Sequence, residues 1–410
     1  MIEPKKPIIF GDFFTEGHYV TEVETLAISE KKKKLTIGVP CETILNEKRV
    51  SLVPSSIRTL VGYGHQIVIE SGAGKASNFS DQNYSEAGAI ILPTKEEVYK
   101  SQILVKIAPP TEEEIKLMHP DQVLISPLQL PVLKDNYLDQ IRQKRITAVA
   151  MEYLQAEDGT YPIVRVMSEI AGTSAVLTAA EYLNNAMKGG RGVLLGGIAG
   201  VPPAKIVILG AGSVAESAIK IAISLGASVR VFDNDVAKLL RLQNTVGRHL
   251  HTSTINPVYL AYQLTSADVV IGAIHSKSGR TPILVTEEMV MQMKSGSVII
   301  DVSIDQGGCF ETSQMTTLDA PTFIKHGVIH YCVPNIASKV SRTASMAISN
   351  IITPLLLRIG AEQNIDALLY ENHGIRHGCY AYKGSITNEY LSKRFGVKYT
   401  SLELLLTSKL

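Results

Sequence analysis

Short apolar runs alternate with helical patterns along most of this chain. The sharpest case spans residues 205–233, KIVILGAGSVAESAIKIAISLGASVRVFD. Ile206 to Leu209 reads as a buried strand. Val214, Ala218, Ile221, Ala222 and Leu225 then recur at helical spacing, and Val229 to Phe232 reads as a second strand. Upstream, Leu35 to Val39, His65 to Glu70, Ile103 to Ile107 and Val123 to Ile125 predict strands, and Pro54 to Gly62 predicts a helix with proline near its start. Downstream, Val269 to Ala273, Val298 to Val302 and Val328 to Val333 continue the series, and a long helix is expected from Ser341. Ser168 to Met187 has helical periodicity, with Ser168 and Glu169 placed to cap it. Strands alternating with helices imply parallel sheets, so the expected class is α/β, with two Rossmann-like domains built on doubly wound parallel sheets.

The tail after Gly360 is too short to build a domain alone and is expected to pack back on the N-terminal region. The expected organisation is an N-terminal extension (1–34), one domain made of 35–165 and 341–410, and a second domain (166–340) inserted into it. The glycine-rich stretch Gly189 to Gly200 leads flexibly into the inserted domain's first strand.

Gly210-Ala211-Gly212-Ser213-Val214-Ala215 is a G-x-G-x-x-A turn lying between a strand and a helix. Gly210 permits the tight turn, Gly212 lets the backbone approach a pyrophosphate, and the small Ala215 lets helix and strand pack closely. The pyrophosphate would sit at a helix N-terminus, where free N–H groups favour anions. Asp233 stands about twenty residues on, where an acid bonds the ribose hydroxyls. No arginine follows it closely, which favours NAD over NADP; Lys238 leaves the alternative open. Gly72-Ala73-Gly74 mimics the motif, but the next helical pattern begins only near Asp81, so a loop is the better reading.

The chain has 410 residues, 45% of them hydrophobic, enough for two or three domains with sizeable cores. Its 40 basic and 39 acidic side chains nearly cancel, which argues against a nucleic-acid partner. The run Lys31 to Lys34 reads as a solvated segment. Four cysteines (Cys41, Cys309, Cys332, Cys379) show neither metal-ligand spacing nor disulfide density. No single apolar run reaches membrane-spanning length, Ala347 to Ile359 being the nearest, and the N-terminus lacks a signal-peptide core. A soluble cytoplasmic protein is expected.

Ligands of open α/β sheets bind beyond the carboxyl ends of the strands. Asp305 and Asn335 lie just past such ends, where a nicotinamide and a substrate need polar partners. A loop or helix-cap role is the alternative for each.

The chain resembles the alanine dehydrogenase family, which shares its architecture with the NAD-binding component of proton-translocating transhydrogenase. The resemblance runs from about residue 35 to 400 and rests on IGVPCETILNEKRVSLVP, GHQIVIESGAG, MSEIAG, GGRGVLLGGIAGVPPAKIVILGAG, IDVSIDQGGCFE and YCVPN. It implies NAD held by the second domain, substrate in the cleft between domains, and reversible oxidative deamination of L-alanine to pyruvate and ammonium by a homo-oligomer, commonly a hexamer. Arg49 matches the arginine that holds the substrate carboxylate, a surface ion pair with Glu42 or Glu47 being its alternative. Asp305 matches the acid near the reacting carbon. Ser168, Gly212, Asp233, Lys238 and Asn335 match cofactor-contacting positions. Two positions depart from the family pattern. Lys106-Ile107-Ala108-Pro109 puts Ala108 where the family has its substrate-binding lysine. Pro127-Leu128-Gln129-Leu130-Pro131 puts Gln129 where it has a general acid/base histidine. Gln129 can hydrogen-bond substrate but cannot titrate. Lys106 is expected on the other face of its strand, and Lys106, His275 and Tyr153 are candidate replacements by location. Three readings stay open: an active NAD-dependent amino-acid dehydrogenase, a non-catalytic NAD(H)-binding homologue serving as sensor or subunit, and hydride transfer to a different substrate.

Overall fold

The computed structural model describes residues 34–407 except 45, 131–132, 277–278 and 363–364. Residues 1–33 of the expected extension, and Pro131, lie outside the described residues. Six strands come first: β1 (Thr36–Val39), β2 (Gln66–Glu70), β3 (Ile90–Leu92), β4 (Ile103–Val105), β5 (Val123–Ser126) and β6 (Thr147–Ala150). Seven follow: β7 (Lys205–Leu209), β8 (Ser228–Phe232), β9 (His251–Ser253), β10 (Val269–Gly272), β11 (Val298–Asp301), β12 (Thr322–Lys325) and β13 (Val328–Tyr331). The chain closes with β14 (Cys379–Tyr382) and β15 (Ser385–Ile386).

These form two sheets, in the orders β15-β14-β6-β5-β4-β1-β2-β3 and β12-β13-β11-β10-β7-β8-β9. β14 joins β6 antiparallel and β12 joins β13 antiparallel, while the strands between them run parallel. The tail therefore completes the first sheet, and the whole second sheet is inserted between β6 and β14. Central strands are covered on both faces, so they read as continuous apolar runs rather than alternations: Ile206, Val207, Ile208 and Leu209 are all fully buried.

In each sheet the chain first winds one way and then restarts on the other side of its first strand. The switch points lie between β1 and β4 and between β7 and β10. Crevices beyond the carboxyl ends at such points are the natural ligand sites of this architecture.

Two expectations need correction. The helix expected from Ser168 starts six residues earlier, at Pro162, and ends at Leu183. Proline at the first helical position is pre-set for helix and has no N–H to waste. Ser168 therefore sits inside the helix, not at its cap, and the expected boundary at residue 166 falls within this helix. Second, this helix and Ile336–Ala361 are long and apolar enough to cross a membrane by length and composition. Both are consumed by packing: Ala175, Val176 and Ala179 of one, and Ile348, Ile352 and Leu356 of the other, are buried in the cores. Gly72 has φ +84°, and its N–H and the Ser71 hydroxyl both donate to Asp81, so the second glycine pair is a pinned loop.

Candidate functional site

The carboxyl edges of the two sheets face each other across a cleft, and residues 46–48 of the loop after β1 are fastened to the second sheet's side of it. Lys48 N donates to Ser338 Oγ at 2.9 Å, Ser338 Oγ donates to Asn46 O at 2.6 Å, and Asn335 Nδ2 donates to Glu47 Oε2 at 2.8 Å.

On the second sheet's side, Gly210 follows β7 at φ +112°, and a Cβ there would lie 2.4 Å from Ala273 O. Only glycine satisfies both conditions. Gly212 has nothing within 4 Å of the position of a Cβ. It precedes helix Ser213–Ser224 without a side-chain cap, so the helix's first N–H groups stay available. Ala215 is fully buried beneath the turn. Asp233 accepts from Ala211 N at 2.7 Å and from Asp235 N at 2.8 Å. Each of its oxygens keeps a lone pair for a hydroxyl. An open glycine, uncapped helix amides and an acid at the next strand's end fit a dinucleotide. Lys238 is exposed, its ammonium 4.0 Å from Asp235, and its N–H is capped by Asp235. Ser168 is half-buried on its helix. Arg241 went unnoticed in the sequence because it lies two helical turns beyond Asp233; its Nη2 donates to Ala211 O at 3.0 Å, placing a cation at the turn.

On the first sheet's side, Arg49 is buried and gripped by the equally buried Glu47. Arg49 Nε donates to Oε1 at 2.7 Å and Nη2 to Oε2 at 2.5 Å. The surface ion pair considered for Arg49 is thus a buried fork. One edge of the guanidinium is used, and the other, with Nη1 3.4 Å from Met167 Sδ, keeps donors for a carboxylate. Burial works against the charge, but Glu47, Glu42 and Asp305 outweigh it and hold Arg49 firmly protonated. Asp305 Oδ1 accepts from Asn335 N at 3.0 Å. Water reaches Asp305, yet protein surrounds it closely enough that burial raises its carboxyl above the ordinary range against the pull of Asn335 and Arg49. A single chain of contacts therefore runs Arg49–Glu47–Asn335–Asp305.

Ala108 is buried past the end of β4. Lys106, also past that end rather than on the strand, is locked 3.1 Å from Glu42 and 3.3 Å from Glu114. Burial disfavours its charge, but the two carboxylates raise its pKa nonetheless. It is committed to this cluster, which leaves it no free charge to offer at the position of Ala108. Burial raises Glu42, whereas Glu114 is lowered despite burial, by Lys106, the Thr111 N–H and Lys95. Gln129 is half-buried at φ +46°, a strained backbone for a non-glycine residue. Glu152 Oε1 holds this segment by accepting from Leu128 N at 2.8 Å and Gln129 N at 3.2 Å. Its Oε2 is buried without a hydrogen-bond partner, and burial raises its pKa. His275 is exposed just past the carboxyl end of β10, with its pKa lowered by desolvation and by Lys238. Tyr153 is half-buried, with its pKa raised by burial and by Glu152.

The loop carrying Asp305 is clasped by Asp301 at the end of β11. Its carboxylate accepts from Ser303 N at 3.0 Å, Cys309 N at 3.1 Å and Ser313 Oγ at 2.6 Å. Sequence reasoning gave no role to Asp301, Glu114 or Glu152, and met Glu42 and Glu47 only as surface partners of Arg49. For Asp301 and Glu152 the available signal was their position at the ends of β11 and β6; Glu114 sits in a helix, as its third residue, and closes the capping box there.

Two family models match, the alanine dehydrogenase/PNT N-terminal domain over residues 38–171 and the corresponding C-terminal domain over 175–389. Alanine dehydrogenase 2 of Staphylococcus aureus strain USA300 is 38% identical over 370 residues, 90% of this chain and 99% of the relative. A solved L-alanine dehydrogenase superposes with TM-score 0.81 at 37% identity, covering 88% of this chain and 99% of the other. The transhydrogenase from Sinorhizobium meliloti gives TM-score 0.74 at 25% identity, with 86% and 99% covered.

Proposed function

The chain belongs to the alanine dehydrogenase/PNT family, and from that premise we propose an NAD-dependent oxidoreductase that interconverts L-alanine with pyruvate and ammonium. The observation that carries this reading is the convergence of Arg49 and Asp305 across the cleft, joined through Glu47 and Asn335. NAD, when bound, would supply the hydride acceptor or donor. The uncapped helix at Ser213, with Gly210 and Gly212, would hold its pyrophosphate, Asp233 would hold the adenosine ribose, and Ser168, Lys238 and Asn335 would complete its surroundings. The unused edge of Arg49 takes the substrate carboxylate in a bidentate pair. Asp305 stands beside the reacting carbon. Its raised pKa lets it hold a proton there and exchange it with water or ammonia. Ala108 withdraws the family's second cation, and Gln129 replaces a titrating ring with an amide that bonds substrate without moving a proton. Proton transfer thus narrows to Asp305. The proposed setting is a cytoplasmic homo-oligomer.

The test follows NADH absorbance with the purified chain, pyruvate and ammonium. Oxidation dependent on both supports the dehydrogenase. Turnover with a different 2-oxo acid reassigns the substrate. A second reading, a non-catalytic NAD(H)-binding homologue, is favoured by Ala108 and Gln129. It predicts NADH binding with no turnover of any 2-oxo acid.

A further inference from the structure

Among the described residues, Glu47 is the group whose side chain hydrogen-bonds functional candidates on both sides of the cleft. All four of its contacts are short: Oε1 accepts from Arg49 N at 3.0 Å and Arg49 Nε at 2.7 Å, and Oε2 accepts from Arg49 Nη2 at 2.5 Å and Asn335 Nδ2 at 2.8 Å. Its side chain is only 2% exposed. Arg49 is on the loop after β1, whereas Asn335 follows β13 in the other sheet and occupies the left-handed region at φ 54°. A buried carboxylate with every contact made by these two residues has no freedom to orient one independently of the other.

We infer that Glu47 is a positioning residue that couples occupation of the dinucleotide side, felt at Asn335, to the orientation of the Arg49 fork that receives the substrate carboxylate. The inference rests on the proposed function for what the two sides bind, and it adds how they communicate. With Asn335 fixed, Glu47 Oε2 is fixed, and the guanidinium plane follows because two of its donors are bonded to the same carboxylate. With Asn335 free, the Glu47–Arg49 pair can turn as a unit and the carboxylate-facing edge loses its aim. Coupling between two ligands is a free energy and is reciprocal, so NADH should tighten a carboxylate ligand by the same factor that the ligand tightens NADH.

The test titrates pyruvate onto the full chain, calorimetrically, with and without saturating NADH, and NADH with and without pyruvate. Wild-type protein is expected to show equal coupling factors of about tenfold, within the usual range of such effects. Glu47→Gln turns one acceptor into a donor that faces the donors of Arg49 or Asn335, and coupling should fall to within about twofold. Asn335→Gly keeps the left-handed backbone comfortable and leaves the Arg49–Glu47 fork intact. It should abolish coupling, read as the ratio of pyruvate affinities with and without an NADH concentration that saturates the variant. A merely structural role would weaken the fold without altering this ratio. Coupling that survives in Asn335→Gly overturns the inference, whether or not Glu47→Gln folds. Wild-type protein that binds both ligands independently overturns the coupling alone. Wild-type protein that binds NADH and no carboxylate overturns the proposed function as well.

Discussion

At the carboxyl edge of the second sheet the turn after β7 presents backbone: two glycines and the uncapped amides of helix Ser213–Ser224. At the carboxyl edge of the first sheet stand buried cations, each already held by a protein partner: Arg49 by Glu47, and Lys106 by Glu42 and Glu114. A backbone amide is aimed by the fold itself, so its recognition survives any change that leaves the turn intact. A buried charge is aimed by its counter-charge, so its role is decided by which partners remain. Ala108 and Gln129 fall in the second kind of region. Lys106 is paired there, and Glu152 Oε2 lies buried without a partner beside the Gln129 segment.

The sharpest break of this comparison introduces the lysine and histidine that the family resemblance implies at these two positions. Ala108→Lys with Gln129→His is expected to raise pyruvate- and ammonium-dependent NADH oxidation by about 10²–10⁴-fold, the usual contribution of a placed acid/base. No gain would mean that the first sheet's pocket has been rebuilt around another ligand. Next in size is Arg49→Ala. It strands Glu47 as a buried carboxylate, and breaking such a pair costs about 3–5 kcal/mol. Denaturant unfolding should show that loss, together with loss of any thermal stabilisation by pyruvate.

The same contrast explains what could be read from the sequence. The dinucleotide turn was legible because its needs are local. Gly210, Gly212, Ala215 and Asp233 occupy one strand–helix–strand unit, and their spacing carries the geometry. β1, β2, β7, β8, β10, β11 and β13 were legible as buried apolar runs. β6 (TAVA) and β14 (CYAY) were not, because alanine and tyrosine make no distinctive run and β14 is defined by pairing with a strand over two hundred residues away. Glu47 was visible only as a possible surface partner of Arg49, since nothing local says that Asn335 arrives on its other oxygen. Ser168 was misread as a cap because a serine before an apolar pattern is a good start signal, and Pro162, six residues earlier, is a stronger one.

A third, smaller effect joins the two regions through pH. Asp301 has its pKa raised to about 6 by burial, against hydrogen bonds from Ser313, Cys309 and Ser303. Its folded pKa lies above its unfolded one, so the folded state binds the extra proton in the interval between them. Its contribution is full below about pH 4 and is lost as pH rises through about 6. Relative to Asp301→Asn, wild-type stability should therefore fall by about 2 kcal/mol between pH 4 and pH 6.5, measured by denaturant unfolding at each pH. Parallel pH profiles for the two proteins would show that Asp301 is not the buried acid that clasps the Asp305 loop.

The smallest effect on stability tests the backbone side of the comparison most cleanly. Gly212 has φ −83° and ψ −172°, extended values that alanine adopts without strain, and a Cβ there meets nothing within 4 Å. Gly212→Ala should thus stabilise the fold by about 0.4–1 kcal/mol, because it narrows the unfolded ensemble. The same methyl group would occupy the space through which a pyrophosphate must approach the amides, so NADH affinity should fall while stability rises. Asp233→Ala is the control with the opposite balance. It strips an acceptor from the N–H of fully buried Ala211, so affinity and stability should fall together, the latter by about 1–3 kcal/mol. Unchanged NADH affinity in Gly212→Ala would remove the turn from the cofactor site. A divergence of stability and affinity there, beside their common fall in Asp233→Ala, is what recognition by an open backbone demands.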